Sequence, residues 1–420
     1  MSHRIEVFTK VNDTRSTIMK KKIDSLGFSA SDAKVVEVYT INKDFSPDQL
    51  KEIARALSNP ISQDYLIDSY NDNVDFDFAL EIGFLPGVTD NIGNTAKETV
   101  EDLFKTKFEG EESVHSSTLI FIKGELKEAD VAHVGKELAN DLIQRIHIKN
   151  HERYIENKGM DIIVPKVELE AHPKADKVNL DIPEKDLKIL SKEGIQDLNG
   201  TRRGPLALDK DQMDTIKDYF DKEKREPTDV ELESLAQTWS EHCKHTIFAA
   251  KIDDNDEGLY KSYIKKATKD IRNKKGSKDF CVSVFSDNSG GILFDENWVI
   301  TDKAETHNSP SALDPFGGAI TGIVGVNRDT IGFGKGAKPI INKYGFCTGY
   351  PSDEEPIYRD EELKSPAIPP KKILEGVVDG VNAGGNTSGI PTPQGFVYFN
   401  ERYKGKPLIF VGTVGLIPKE

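Results

Sequence analysis

The sequence predicts an α+β chain built from several domains, and three observations point there. At roughly 100 to 200 residues per domain, 420 residues suggest two to four domains, each able to bury a core. The first 150 residues repeat a strand–helix–strand–helix order, which predicts a duplicated α+β sandwich. The last third sets apolar strands around a capped helix and a glycine-rich stretch, and nearly all chemically capable residues gather there.

In the first copy, RIEVFTKV leads to a helix around Met19 to Leu26, then to KVVEVYTI. A helix from Ser46 to Leu57 follows, with Ser46 as N-cap and Pro47 in the first turn. In the second, FALEIGFLPGV leads to a helix around Asn94 to Phe104, then to STLIFIKG and a helix from Val131 to Leu142. A small sheet covered on one face by helices is the expected result. From 151 to 226 the chain turns charged and broken, and reads as a linker domain. One helix is expected there over Lys210 to Lys222, with Met213, Ile216, Tyr219 and Phe220 on one stripe. At 227 the composition changes again, and the third segment, 227–420, begins. Thr228 and Glu231 form a capping box after Pro227, opening a helix that buries Leu232, Leu235, Ala236 and Trp239. Strands at CVSVFSD, GILFD and WVITDKAE follow, then the glycine-rich GGAITGIVG and GFGKGAKP, a helix at PPKKILEGVVDGV, and strands at FVYFN and PLIFVGTVGLI.

The charge balance narrows the function. With 56 Lys plus Arg against 71 Asp plus Glu, the net charge is −15, and no basic stripe interleaved with aromatics occurs. Phosphate backbones are repelled, so nucleic acid is not an expected partner, whereas small anions can still bind at local sites. Three widely spaced cysteines form no C-x-x-C pair, which argues against a disulfide framework or zinc ribbon. MSHRIEVFTKVND lacks the apolar core of a secretory signal, and no stretch of about 18 apolar residues occurs. A cytoplasmic location without membrane attachment is the expectation.

Two motifs carry the chemistry. In SEHCKH, His242 and His245 would share a helical face beside Glu241 and Cys243. Zinc is one reading, although the spacing is neither H-E-x-x-H nor its inverse; helix-end histidines meeting the last carbonyls is the other. In KAETHNSP, Lys303, Glu305 and His307 alternate at a strand end and therefore face one side. A lysine suits a phosphate and a carboxylate suits Mg²⁺, so this is phosphoryl-transfer equipment; a solvated surface strand is the alternative. Asn327, Arg328 and Asp329 are placed at the end of another apolar strand and add an anion-binding guanidinium and a second carboxylate. Gly332, Gly334 and Gly336 permit close approach of backbone to phosphate without matching a P-loop, and an ordinary turn serves equally.

SEHCKH after the PTDVELESLAQTW helix, followed by KAETHNSPSALDPFGGAITG and VNRD, resembles phosphoribosylformylglycinamidine synthase. The resemblance runs from about Leu206 to Glu420, through GNTSGIPTPQG and KGKPLIFVGTVGLI, and loosely includes the preceding linker. The doubled N-terminal unit is similar to that family's small ammonia-channel subunit, here duplicated and fused. The resemblance implies an ATPase domain of the aminoimidazole-ribonucleotide-synthetase type. Its reaction converts formylglycinamide ribonucleotide to formylglycinamidine ribonucleotide with ATP and glutamine-derived ammonia, in purine synthesis. By position, His242 would be an active-site histidine and His245 a nucleotide contact. Lys303 and the Gly332, Gly334 and Gly336 loop would contact ATP, while Glu305 and Asp329 would hold Mg²⁺. Thr306, His307, Asn308, Ser309 and Arg328 would bind substrate, with His307 also the proton acceptor. Ser309 stands where many members have a second histidine, and Ala304 where valine is usual. Family members continue past the position of Glu420, so the resemblance implies the remaining synthase domains and a glutaminase domain or subunit as partners. The alternative is a catalytically silent fragment or assembly subunit that needs a partner chain.

Overall fold

The computed structural model describes residues 2–167, 174–197, 200–240, 246–360 and 362–419. It divides into two units, one formed by Met1–Val167 with Val282–Glu420, the other by Glu168–Cys281. The class is α+β, as the repeat and the strand–helix mixture predict.

The N-terminal half of the first unit holds β1 (Ser2–Thr9), α1 (Thr14–Ser25), β2 (Asp32–Asn42), α2 (Pro47–Ala56) and β3 (Gln63–Ile67). The second copy holds β4 (Phe78–Phe84), α3 (Asn91–Phe104), β5 (Ser113–Lys123), α4 (Glu128–Leu138) and β6 (Gln144–Asn150), followed by α5 (His151–Glu156). Each copy thus has a third strand that the sequence reading lacks; β3 is only five residues long and has no fully buried side chain. The sheet order β3-β1-β2-β5-β4-β6 is a palindrome of the two copies, joined where β2 runs antiparallel to β5 from Asp32↔Lys123 to Asn42↔Ser113. Local chemistry sets the helix starts: Ser46 and Gln49 close a capping box on α2, with proline in the first turn. One sheet face packs on the helices, through Ile5, Val7, Ile41, Ile53, Val100 and Val114 in one copy-spanning cluster and Ile23, Leu80, Ile120, Ile122, Val131 and Val134 in the other. The other face is also partly covered, since Val38, Leu119 and Phe121 pack with Tyr154 of α5 and Met160.

The second unit contains α6 (Glu184–Glu193), α7 (Lys210–Lys222), α8 (Asp229–Trp239) and α9 (Thr246–Ala249). A π-helical turn, Tyr260–Lys265, runs on into α10 (Lys266–Lys275). Its core joins Leu187, Leu190, Leu208, Met213, Ile216, Phe220 and Leu232. Tyr219 is 56% exposed and Trp239 37% exposed, so the buried stripes are narrower than the sequence suggests. Met213, Ile216 and Phe220 already complete one face at spacings of three and four, leaving Tyr219 beside it.

The first unit resumes with β7 (Cys281–Ser283), β8 (Gly290–Leu293), β9 (Trp298–Thr306), α11 (Asn308–Leu313), α12 (Pro315–Ile331), β10 (Lys338–Thr348), α13 (Pro370–Asn386), β11 (Gln394–Phe399) and β12 (Leu408–Pro418). The sheet order is β11-β10-β12-β9-β8-β7, with α12 and α13 packed on one face through Ala319, Ile323, Val326, Val377, Ile409 and Val411. The stretch GGAITGIVGVNRD is the body of α12, not a strand with a loop. Asp314 caps it, its side chain accepting from the Gly317 N–H, and Pro315 fills the first position. The glycines are there for packing: a Cβ on Gly380 of α13 would lie 2.5 Å from the Phe316 carbonyl oxygen, and one on Gly384 would lie 2.4 Å from Ile323 Cγ2. Among the described residues, no helix is long and apolar enough to cross a membrane.

Candidate active site

Alternation along β9 aims Thr301, Lys303 and Glu305 at α12, because Thr413 and Val411 of β12, opposite Lys303 and Glu305, face the same helix. Asp329 arrives from the last turn of α12. The Lys303 ammonium stands 2.9 Å from Asp329 Oδ2 and 3.4 Å from Glu305 Oε2, with all three side chains between one-fifth and two-fifths exposed. Burial alone would lower the Lys303 pKa; its hydrogen bond to Asp329 and the charges of Asp329 and Glu305 outweigh that and raise it. One lysine therefore brackets two carboxylates at a place solvent can reach.

His307 follows the strand and caps α11 by position. Its N–H donates to the Ile409 carbonyl at 2.9 Å, tying it to β12. Its Nδ1 is buried and has no partner among the described residues. The ring lies against Gly322 of α12, where a Cβ would be 3.3 Å from His307 Cγ and 3.2 Å from Val411 Cγ2. Gly322 thus makes room for the imidazole, a role that a glycine read as loop does not disclose.

The structure brings together Lys303, Glu305 and Asp329 directly, and His307 lies just past the end of the same strand. Asn308 Oδ1 accepts from the Ile409 N–H at 2.9 Å and so anchors α11 to β12. Thr306 and Ser309 are exposed, and so is Arg328, whose guanidinium has no ion pair among the described residues. The expectation that Asn327, Arg328 and Asp329 end a strand is corrected: they lie on a helix, so consecutive side chains diverge by about 100° and only Asp329 reaches Lys303. Asn327 is 5% exposed and belongs to a clasp instead. Asn342 Nδ2 donates to Asn327 Oδ1 at 2.6 Å and to Thr413 Oγ1 at 2.8 Å, and Thr413 Oγ1 donates to Asn327 Oδ1 at 2.7 Å. That clasp pins α12 to β10 and β12 two residues before Asp329. The sequence reading missed Asn342 and Thr413, whose one signal is polarity inside otherwise apolar strands. Gly332 ends α12, and Gly334 and Gly336 take φ of 56° and 114°, with the Gly334 N–H donating to Asp287 Oδ2 at 3.2 Å. They form a turn into β10, whose first residue, Lys338, is exposed. His242 and His245, with Glu241 and Cys243, lie outside the described residues. Among the described residues no cluster of three metal-ligating side chains occurs.

Residues 198–245 match the model of the formylglycinamide ribonucleotide amidotransferase linker domain, and residues 286–417 match that of the AIR synthase related protein N-terminal domain. Residues 198–245 and 286–417 are thus similar to domains of the phosphoribosylformylglycinamidine synthase type. The PurL subunit of that synthase from Thermoplasma volcanium is 33% identical over 223 residues, covering 53% of this chain and 26% of the relative. That from Picrophilus torridus is 35% identical over 218 residues, covering 51% and 25%. The chain spans about a quarter of the length of these curated relatives. Among solved structures, T. maritima PurL complexed with FGAR aligns at 26% identity over 49% of this chain and 26% of that one, with a TM-score of 0.33. Both family models begin at or after residue 198, so the N-terminal sheet is untouched by them. The synthase-type segment contains the whole Lys303–Asp329 constellation.

Proposed function

We propose that this chain supplies part of a formylglycinamidine ribonucleotide synthase, a carbon–nitrogen ligase that consumes ATP. In this reading 1–150 is the duplicated channel-subunit-like domain, 151–226 the linker domain and 227–420 the first synthetase ATPase domain, in a cytoplasmic assembly with further synthase domains and a glutaminase. The observation that carries it is Lys303 held between Asp329 and Glu305, with His307 just past the end of that strand.

An amide oxygen leaves poorly until it is phosphorylated. ATP's γ-phosphoryl group goes to the substrate amide oxygen; ammonia then attacks the amide carbon, orthophosphate departs with that oxygen, and the nitrogen sheds a proton. Lys303 suits the phosphates as a point charge once its carboxylate partners turn elsewhere. Glu305 and Asp329 fit Mg²⁺, which takes one or two carboxylates and completes its shell with phosphate oxygens and water. When bound there, Mg²⁺ would neutralise charge on the transferring phosphoryl group. His307, whose Nδ1 has no partner among the described residues, is the group suited to accept the ammonia proton, a role worth about 100 to 10,000-fold. Arg328, Thr306, Asn308 and Ser309 are assigned to the ribonucleotide by the family resemblance, as are His242 to the active site and His245 and the Gly332–Gly336 turn to the nucleotide.

Calorimetry of Mg·ATP binding to the full chain tests the site, and Lys303→Met should abolish the heat. Undiminished binding to that variant would remove Lys303 from the nucleotide site. In the complete assembly His307→Ala should stop amidination, and near-normal turnover would take His307 out of the mechanism.

A further inference from the structure

The two copies in the N-terminal sheet end their second helices with closely related heptapeptides. Leu57-Ser58-Asn59-Pro60-Ile61-Ser62-Gln63 follows α2, and Leu138-Ala139-Asn140-Asp141-Leu142-Ile143-Gln144 follows α4, with Leu, Asn and Gln shared at the first, third and last positions. Their hydrogen bonds repeat as well. The Asn59 N–H donates to Gln63 Oε1 at 2.7 Å, the Gln63 N–H to the Asn59 carbonyl at 2.8 Å, and the Ile61 N–H to Asn59 Oδ1 at 2.9 Å. In the second copy the Asn140 N–H donates to Gln144 Oε1 at 2.8 Å, the Gln144 N–H to the Asn140 carbonyl at 2.7 Å, and the Leu142 N–H to Asn140 Oδ1 at 3.2 Å. Such an Asx turn holds its apolar residue outward at a fixed angle.

The second turn is occupied. Leu142 packs into the α12–α13 core, and Asn140 Nδ2 donates to the Leu313 carbonyl at 2.8 Å, at the end of α11. Lys372 from the first turn of α13 donates to the Lys136 carbonyl at 2.7 Å, capping α4, with its ammonium 3.6 Å from the Glu137 carboxylate. The first turn holds its apolar residue in water: Ile61 is 88% exposed, the highest value among the exposed large hydrophobics. The Asn59 side-chain amide nitrogen has no partner among the described residues.

We propose that the Leu57–Gln63 turn is a second docking knob, and that its occupant is another domain of the AIR synthase type, presenting an uncovered helix pair equivalent to α12 and α13. The palindromic strand order relates the two turns, so the surface that fits one fits the other: an apolar socket between two helices, a free carbonyl for the asparagine amide and a lysine for the end of α2. A second copy of this chain is not the occupant, because its one such helix pair among the described residues is already covered by its own Leu142. The N-terminal sheet then bridges two synthase-type domains. This stands independently of whether the Lys303 site turns over.

Uncovering the chain's own socket supplies the probe. Asn140→Ala with Leu142→Asp in the full chain removes the resident knob and frees one helix pair per molecule. Sedimentation velocity should show the wild-type chain as a monomer and the uncovered variant as self-associating. Adding Ile61→Asp should weaken that association at least tenfold, whereas adding Ile18→Asp, at a 50% exposed site on α1, should leave it unchanged. A photoreactive residue replacing Ile61 should crosslink to the segments holding Leu313 and Lys372. If Leu142→Asp prevents folding, judged by circular dichroism, Leu142→Ala in the same background takes its place. An uncovered chain that stays monomeric, association indifferent to Ile61→Asp, crosslinks elsewhere, or a wild-type dimer broken by Ile61→Asp would each overturn the proposal.

Discussion

Both sheets of the first unit carry a cation bracketed by two carboxylates, and both start from the same local pattern, a base and an acid two residues apart on one strand. In β1, Arg4 Nε donates to Glu6 Oε1 at 2.8 Å and Arg4 Nη2 to Glu81 Oε2 of β4 at 2.9 Å, while Ser117 Oγ also donates to Glu81 Oε1, at 2.7 Å. In β9, Lys303 meets Glu305 and, from a helix, Asp329. The difference is water. Arg4, Glu6 and Glu81 side chains are 5%, 2% and 2% exposed, whereas those of Lys303, Glu305 and Asp329 are 23%, 38% and 33%. The three charges sealed in the dry group are taken up with one another and with Ser117, and the Arg4 fork ties β1 to β4 across the two strands between them. The wet group holds a point charge on a flexible stem and carboxylates with spare lone pairs, so its members can exchange each other for phosphate and cation. Patterning alone makes either; burial decides which stays open to a ligand.

The comparison breaks most visibly at Arg4. Replacing it with Met strands two buried carboxylates, and a loss of about 3 to 5 kcal/mol is expected in denaturant unfolding. Lys303→Met removes a cation that solvent reaches, and the expected stability change is about 1 kcal/mol or less. Equal losses for the two variants would mean that the β9 group is structural after all.

A subtler test separates geometry from stability within the wet group. Ala at position 322 should gain up to about 1 kcal/mol of helix propensity. Its Cβ would press on His307 Cγ at 3.3 Å and Val411 at 3.2 Å, offsetting that gain. Thermal unfolding of Gly322→Ala should therefore barely move. Turnover of the complete assembly should fall by about 10 to 100-fold as the imidazole shifts by a few tenths of an ångström. Unaltered turnover would show that the position of the His307 ring is not critical.

What the sequence disclosed follows the range of the interactions. Ser46 with Pro47 and Thr228 with Glu231 mark helix starts because capping is settled within four residues, and both boxes are present. The common facing of Lys303 and Glu305 follows from strand alternation. The meeting of Lys303 with Asp329 does not, since it depends on 315–331 being a helix, and glycines that serve α12–α13 packing look locally like breakers. Arg4 and Glu81 lie far apart in the chain and no local rule pairs them. The likeness of the two Asn-to-Gln turns was legible in the letters, but its meaning needed Leu142 seen in its socket and Ile61 in water.

Glu231 in the second unit adds a further ion pair that solvent reaches, its side chain 36% exposed and that of Arg225 42%. It accepts from Arg225 Nη2 at 2.7 Å and Nη1 at 2.9 Å, and from the Thr228 N–H at 2.8 Å, while Arg225 lies over the Phe220 ring. The hydrogen bonds from Arg225, then those from Thr228, push its pKa down from 4.5 to about 2. A carboxylate depressed on folding contributes stability that is present above its unfolded value and lost as pH falls through the folded one. Between pH 4.5 and about 2, therefore, the unfolded chain takes up a proton that the folded chain refuses, and the stability that the Glu231 half of the α8 capping box contributes is progressively lost. Helical circular dichroism of the wild type should decline across that window more steeply than that of Glu231→Gln, which keeps an acceptor but has no proton to gain. Because the pair is wet and salt screens it, the gap between the two curves should narrow further at 1 M NaCl, where the Debye length falls to about 3 Å. Curves that coincide at low salt would mean that this solvent-reached carboxylate, for all its donors, contributes nothing to acid stability.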